Sequence, residues 1–160
     1  MKDTFTEFLN AVKAEPDMIQ QALRMYLSER TNDLTRKEML TELRTSAKNE
    51  EELDRLLKKL ERDPDALEQA ALVYLEHAWE DDAQVPSIRA AFEHAKARLP
   101  VVETAILSIV VMYGMYLIRT GGISEFAVRR NPDGSYEKTE KREAFVPIVS
   151  AMAGLFGKRD

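Results

Sequence analysis

Apolar positions recur with a helical period through the first hundred residues, and they recur twice in the same order. Residues 8–30, FLNAVKAEPDMIQQALRMYLSER, and residues 56–78, LLKKLERDPDALEQAALVYLEHA, align at an offset of 48. In that register Leu9 matches Leu57, Pro16 matches Pro64, Asp17 matches Asp65 and Gln21 matches Gln69; Ala22, Tyr26 and Leu27 match Ala70, Tyr74 and Leu75. Val12 with Leu60 and Ile19 with Leu67 stay apolar. A repeated helical unit buries its apolar stripe against its copy, so the repeat predicts architecture and carries no chemistry of its own.

The helix boundaries follow from capping residues. Thr4 with Glu7 and Thr35 with Glu38 are capping-box pairs that open a first and a third helix. Pro16 opens a second, whose stripe is Ile19, Ala22, Leu23, Tyr26 and Leu27, ended by Thr31-Asn32-Asp33. Met39, Leu40, Leu43 and Ala47 continue the third. Asn49 before three glutamates caps a fourth helix, with Leu53, Leu56, Leu57 and Leu60 on one face. Asp63-Pro64 ends it and starts a fifth, running to about Trp79; Pro86 opens a sixth through about Arg98. Residues 1–98 therefore read as two three-helix units, about 1–48 and 49–98.

The pattern changes at 101–118, VVETAILSIVVMYGMYLI, which holds one charge, Glu103. Eighteen helical residues span ~27 Å, close to the core of a bilayer. The alternatives are a helix buried by the body and a helix inserted in a membrane, with Tyr113, Tyr116 and Arg119 at the interface. The run sits at the threshold length, which favours the buried helix. Ile106, Ile109, Val110, Tyr113 and Leu117 are the candidate apolar interface or membrane face. Beyond it, Thr120-Gly121-Gly122 stops the helix. ISEFAVRR (123–130) and residues 135–141 read as two strands around the turn Asn131-Pro132-Asp133-Gly134. Such a β-hairpin is marginal alone and must dock. Cross-strand ion pairs in solvent are its plain reading, and a free strand edge is its functional one. Arg129, Arg130, Tyr136 and Lys138 are the candidate partner-binding residues. Residues 144–156, AFVPIVSAMAGLF, are too short to span a bilayer and contain Pro147, so they pack on the apolar helix or lie at a surface.

Composition narrows the function. A chain that is 44% hydrophobic and 32% charged has the makings of a folded, charged helical surface. The net charge of -5 is uneven: residues 1–118 hold 15 Lys+Arg against 22 Asp+Glu, and residues 119–160 hold 8 against 6. An acidic helical body is a poor nucleic-acid binder, so no nucleic acid is expected as a partner. The absence of cysteine removes disulfides, thiolate metal sites and cysteine nucleophiles. The first residues, MKDTFTEFLNAVKAE, lack an apolar leader, which points to the cytoplasm, with the inner or cytoplasmic membrane as the alternative. His77 and His94 lie 17 apart with no ligand companions, and read as surface or satisfied histidines. Glu80-Asp81-Asp82 lacks EF-hand spacing. There is no P-loop, GxGxxG, GxSxG or HExxH motif. No catalytic residue, metal site or cofactor is expected, and the chain does not read as an enzyme.

The apolar helix, the Gly121-Gly122 break and the ribbon with its turn Pro132 to Ser135 resemble effector-associated adaptor modules of bacterial conflict systems. The resemblance covers residues 101–140. It implies a module that joins a sensor to an effector, and it brings no catalytic residues with it.

The sequence thus predicts a mainly α fold: a six-helix body from a tandem three-helix duplication, an apolar seventh helix and a small C-terminal β-hairpin, with residues 99–160 packed on the body. The expected function is a non-catalytic protein–protein interaction or adaptor module whose partner is another protein, a homo-oligomer being open. A membrane-associated protein with 101–118 inserted is the first alternative. An enzyme without a recognisable motif is the second.

Overall fold

The structure, a computed structural model, describes residues 3–31, 34–97, 104–118 and 126–140, with parts of the last three spans placed by backbone alone. Each helix starts where a side chain can take up orphan N–H groups. The Thr4 hydroxyl accepts from the Glu7 N–H and the Glu7 carboxylate accepts from the Thr4 N–H, opening α1 (Phe5–Val12). Pro16 occupies the first turn of α2 (Pro16–Arg30). Thr35 and Glu38 repeat the reciprocal pair at α3 (Arg36–Ser46). Asn49 accepts from the N–H groups of Glu51 and Glu52 at α4 (Glu50–Arg62). Asp63 accepts from the Ala66 N–H at α5 (Pro64–Trp79). A 3-10 turn over Asp82–Gln84, capped by Asp81, leads into α6 (Val85–Ala97), and α7 (Thr104–Ile118) follows. The protein is mainly helical. α2 and α5 begin 48 residues apart, at Pro16 and Pro64, and pack on each other with the Tyr26 and Tyr74 rings 6.1 Å between centroids.

The central helix is α5. Twelve of its sixteen residues are buried, and it touches α2, α4, α6 and α7. Ala66, Ala70, Ala71 and Ala78 let its neighbours close in on several sides. α7 packs against α2, α3, α4 and α5. Its approach to α5 depends on Gly114: a Cβ there would lie 3.2 Å from two ring atoms of Tyr74 and 3.5 Å from Leu27 Cδ1. Phe5, Phe8, Trp79 and Phe92 form one aromatic cluster within the core. The Arg89 guanidinium lies 5.1 Å from the Phe8 and Trp79 ring centroids, and the Trp79 indole N–H donates to the Asp3 carbonyl.

No helix among the described residues is long and apolar enough to cross a membrane. α7 has 15 residues, or ~22 Å of rise. Val110 and Tyr113, expected at an interface or membrane face, are core residues, 5% and 4% exposed, and Ile109 is partly buried against the same core. The physical reason is that α2, α3, α4 and α5 all pack on α7, so protein surrounds it where lipid would otherwise be needed. Ile106 and Leu117 are placed by backbone alone.

Two strands, β1 (Phe126–Arg130) and β2 (Tyr136–Glu140), pair antiparallel, with Arg130 opposite Tyr136, Arg129 opposite Glu137 and Val128 opposite Lys138. The turn between them closes through Asn131 N–H to Ser135 O and Gly134 N–H to Asn131 O. Gly134 sits at φ +92°, where a side chain would be strained. The Asp133 carboxylate accepts from the Ser135 N–H and hydroxyl, which holds its pKa below the ordinary range. The expected first-strand residues 123–125 and the apolar segment 144–156 lie outside the described residues.

Candidate functional site

The ribbon is seated on α1 and α5 by three groups that the body supplies. The first is Asn10, near the end of α1. Its Oδ1 accepts from the Tyr136 N–H at 2.7 Å and its Nδ2 donates to the Tyr136 carbonyl at 2.9 Å. One carboxamide thus pairs both backbone groups of a strand residue, as a neighbouring strand would. The second is the Ala14 carbonyl. α1 ends with Lys13 in the left-handed region, φ +53°, and the chain folds back through Ala14 N–H to Leu9 O. That turn leaves the Ala14 oxygen to accept the Tyr136 hydroxyl at 2.9 Å. The third is Glu68 on α5, whose carboxylate accepts from Arg130 Nε at 2.7 Å and from Arg130 Nη2 at 3.2 Å.

These contacts decide the electrostatics. Glu68's side chain is 7% exposed and Arg130's is 34%, so the carboxylate is sealed while the guanidinium keeps a solvent side. The bond to Glu68 raises the Arg130 pKa further, against the opposing effect of its burial. Burial pushes the Tyr136 hydroxyl up, and the nearby Glu68 charge adds to that. The hydroxyl therefore stays a neutral donor to Ala14.

Two of the four expected partner-binding residues are thus engaged inside the molecule. Tyr136 is 3% exposed and belongs to the core, and Arg130 pairs with α5 instead of across the ribbon. The plain expectation of a ribbon held by cross-strand pairs in solvent fails at Arg130, because a buried carboxylate requires a cation more than an exposed one does. α1 also covers the outer edge of β2 at Tyr136. Arg129 and Lys138 are placed by backbone alone.

Two other polar clusters tie helices together. On α3, Glu42 accepts from the Tyr113 hydroxyl at 2.7 Å and from the Tyr116 hydroxyl at 3.1 Å, and Ser46 donates to Tyr116. Burial, and then the bond to Glu42, pushes the Tyr113 hydroxyl up, so it holds its proton for the carboxylate. Near the end of α2, the Tyr26 hydroxyl donates to Gln84 at 2.7 Å and accepts from Arg30. Burial raises the pKa of Tyr26, with Arg30 opposing. The matched pair Tyr26 and Tyr74 is core, as the stripe implied, and burial also pushes the Tyr74 hydroxyl up. No group of three or more His, Asp or Glu residues among the described residues could hold a metal ion.

His77 departs from the expectation of a surface or satisfied histidine. Its Nδ1 is buried without a hydrogen-bond partner. Burial lowers its pKa, Glu80 opposes that by raising it, and Arg30 lowers it again. Protonation at Nδ1 would create a buried N–H with no acceptor, at a cost of about 1–3 kcal/mol. Above about pH 6.5 the imidazole is neutral in both the folded and unfolded chain. Below that the unfolded chain binds a proton that the folded one resists, so stability falls with pH until the lowered folded pKa is passed. Urea unfolding of wild type and His77→Gln between neutral and mildly acidic pH should show the steeper acid loss in wild type; equal slopes would rule this out.

Asn10, Glu68 and Glu42 were not singled out from the sequence. Asn10 occupies a solvent-facing position of α1, and Glu68 and Arg130 are 62 residues apart. No family model, no curated protein and no solved structure matches the chain.

Proposed function

We propose that this chain is a non-catalytic protein–protein interaction module of the adaptor kind, whose body presents a preformed helical surface and carries the ribbon as its docking element. The observation that supports this most is the seating of the ribbon. Asn10, the Ala14 carbonyl and Glu68 hold a short two-stranded element in one orientation on a rigid support. Preorganisation of this kind lowers the ordering cost of binding a partner. The polar clusters around Glu42 and Tyr26 support the non-catalytic reading, since each joins helix to helix.

The body reads as a tandem duplication in which α1–α3 and α4–α6 correspond, and the matched residues Tyr26 and Tyr74 pack ring against ring. In this reading α7 breaks the equivalence by packing on α3 and α5 together. Arg129 and Lys138 remain the partner-binding candidates on the ribbon.

The test is quantitative affinity capture with tagged wild type and the double variant Arg129→Glu/Lys138→Glu, matched for thermal unfolding. A protein partner held by wild type and lost by the variant is the expected result. Retention of the same partners at the same level would remove the ribbon from the binding surface. Capture of no specific protein from the native source would remove the module reading itself.

A further inference from the structure

The ribbon sits on one face of α1 and the turn after it, and the 48-residue offset in sequence carries that face onto α4. Asn10 and Ala14, which hold Tyr136, correspond to Lys58 and Arg62; Glu7 and Ala11 correspond to Arg55 and Lys59. The two helices bury matching positions on the side away from it, Phe5 and Phe8 in α1 and Leu53 and Leu56 in α4. On α4 the corresponding face is open: Arg55, Lys58, Lys59 and Arg62 are all exposed. Arg55 is paired along the helix with Glu52, whereas Lys58, Lys59 and Arg62 make no ion pair among the described residues. An exposed helix neutralises itself by setting acids and bases one turn apart. Here the positions three, four and seven beyond Arg55 are all cations. The helix macrodipole accounts for Lys59 and Arg62 in the last turn. It does not account for Arg55 and Lys58, nor for an acid-free line over two turns on a body whose first 118 residues hold 22 acids against 15 bases.

We propose that the outer face of α4, from Arg55 to Arg62, is a docking surface for an acidic, extended segment of a partner protein. This rests on the module reading and gives the module a second surface besides the ribbon. The occupant is extended because the corresponding face of α1 takes an extended strand, β2. It is acidic because the groups that read Tyr136 on α1, a carboxamide and a carbonyl, are replaced on α4 by an ammonium and a guanidinium. A strand with carboxylates at alternate positions sets them on one side about 7 Å apart. Cations one helical turn apart stand about 5–6 Å from each other at Cβ, and their long stems take up the difference. The line from Arg55 to Arg62 is only ~10 Å long, and Glu50, Glu51 and Glu61 are exposed on the same helix. So short a line, with acids beside it, suits a few carboxylates of one segment better than a phosphate backbone or an anionic lipid surface, both of which need cations spread over a wider area.

The probe is a soluble peptide of alternating Glu and Thr, titrated into isotope-labelled full-length protein and followed by amide NMR shifts. The shifts should gather on α4 between Arg55 and Arg62, and a peptide of alternating Gln and Thr should produce none. Lys58→Gln/Arg62→Gln leaves the leucine face of α4 in place and should weaken binding about tenfold. Arg36→Gln/Lys37→Gln removes the same charge from the exposed start of α3 and should leave binding unchanged. Absence of shifts, shifts scattered over every basic position, or equal weakening in the two variants would overturn the proposal. Tighter engagement of the α4 face by phosphatidylserine vesicles or by an oligodeoxythymidine would overturn it as well. So would concentration-dependent shifts of these residues without peptide, which would make a second copy the occupant. The module reading is judged by affinity capture, and the Arg129→Glu/Lys138→Glu chain should bind the peptide as wild type does, so the two can fail separately.

Discussion

Arg130→Ala should destabilise the protein by about 3 kcal/mol, read as a lower urea midpoint. That is the low end of the range for removing one partner of a buried ion pair, because a third of the Arg130 side chain already faces water. Nearly all of the loss would be the cost of leaving Glu68 charged and sealed on α5, 5% exposed as a residue. The double replacement Glu68→Leu/Arg130→Met removes both charges and should return to within about 1 kcal/mol of wild type, since well-packed apolar residues substitute for such pairs at little cost. A loss of under about 1 kcal/mol in Arg130→Ala would mean that water reaches Glu68 when the ribbon lifts, and that the pair orients the ribbon more than it stabilises the body.

Gly114→Leu should cost about 3 kcal/mol or more, and Gly114→Ala about 1 kcal/mol. Filling a packed site typically costs about 1–3 kcal/mol, and the alanine recovers about 1 kcal/mol of helix propensity that glycine forfeits. The sign is decided by Tyr74, whose ring atoms would stand 3.2 Å from the new Cβ. Tyr74 is itself 3% exposed and packed against Tyr26, so it has little room to yield. In a Tyr74→Leu background the ring is gone, and Gly114→Ala should become neutral or stabilising. Equal effects in both backgrounds, measured as a double-mutant cycle, would show that α7 shifts as a body instead of pressing on Tyr74.

Helix starts were legible in the sequence because they are local. Thr4 with Glu7, Thr35 with Glu38, Asn49 and Asp63 each satisfy N–H groups two or three residues away, so residue type and spacing suffice. The core status of Tyr26 and Tyr74 was legible for a related reason, since both lie on a periodic stripe. The turn at Asn131 to Ser135 closes through contacts of the same short range.

The site was mostly illegible. Asn10 lies at an exposed position of α1, and no periodicity marks a side chain that will pair with a strand 126 residues away. Glu68 and Glu76 interrupt the apolar pattern of α5, yet both are buried once neighbours close around it. The burial of Val110 and Tyr113 likewise depends on how four helices, α2 to α5, pack against α7. The 101–118 run was ambiguous for that reason: hydropathy describes a helix's appetite for an apolar environment and cannot say whether protein or lipid provides it.

By itself, the sequence determined where helices begin and which stripes are apolar, because those properties depend on neighbours within a turn or two. Only the tertiary structure decided that α5 is central, that Glu68 holds Arg130 and that α1 covers the edge of β2. Each of those joins residues far apart in the chain, where charge burial and close approach become defined only after the helices have packed.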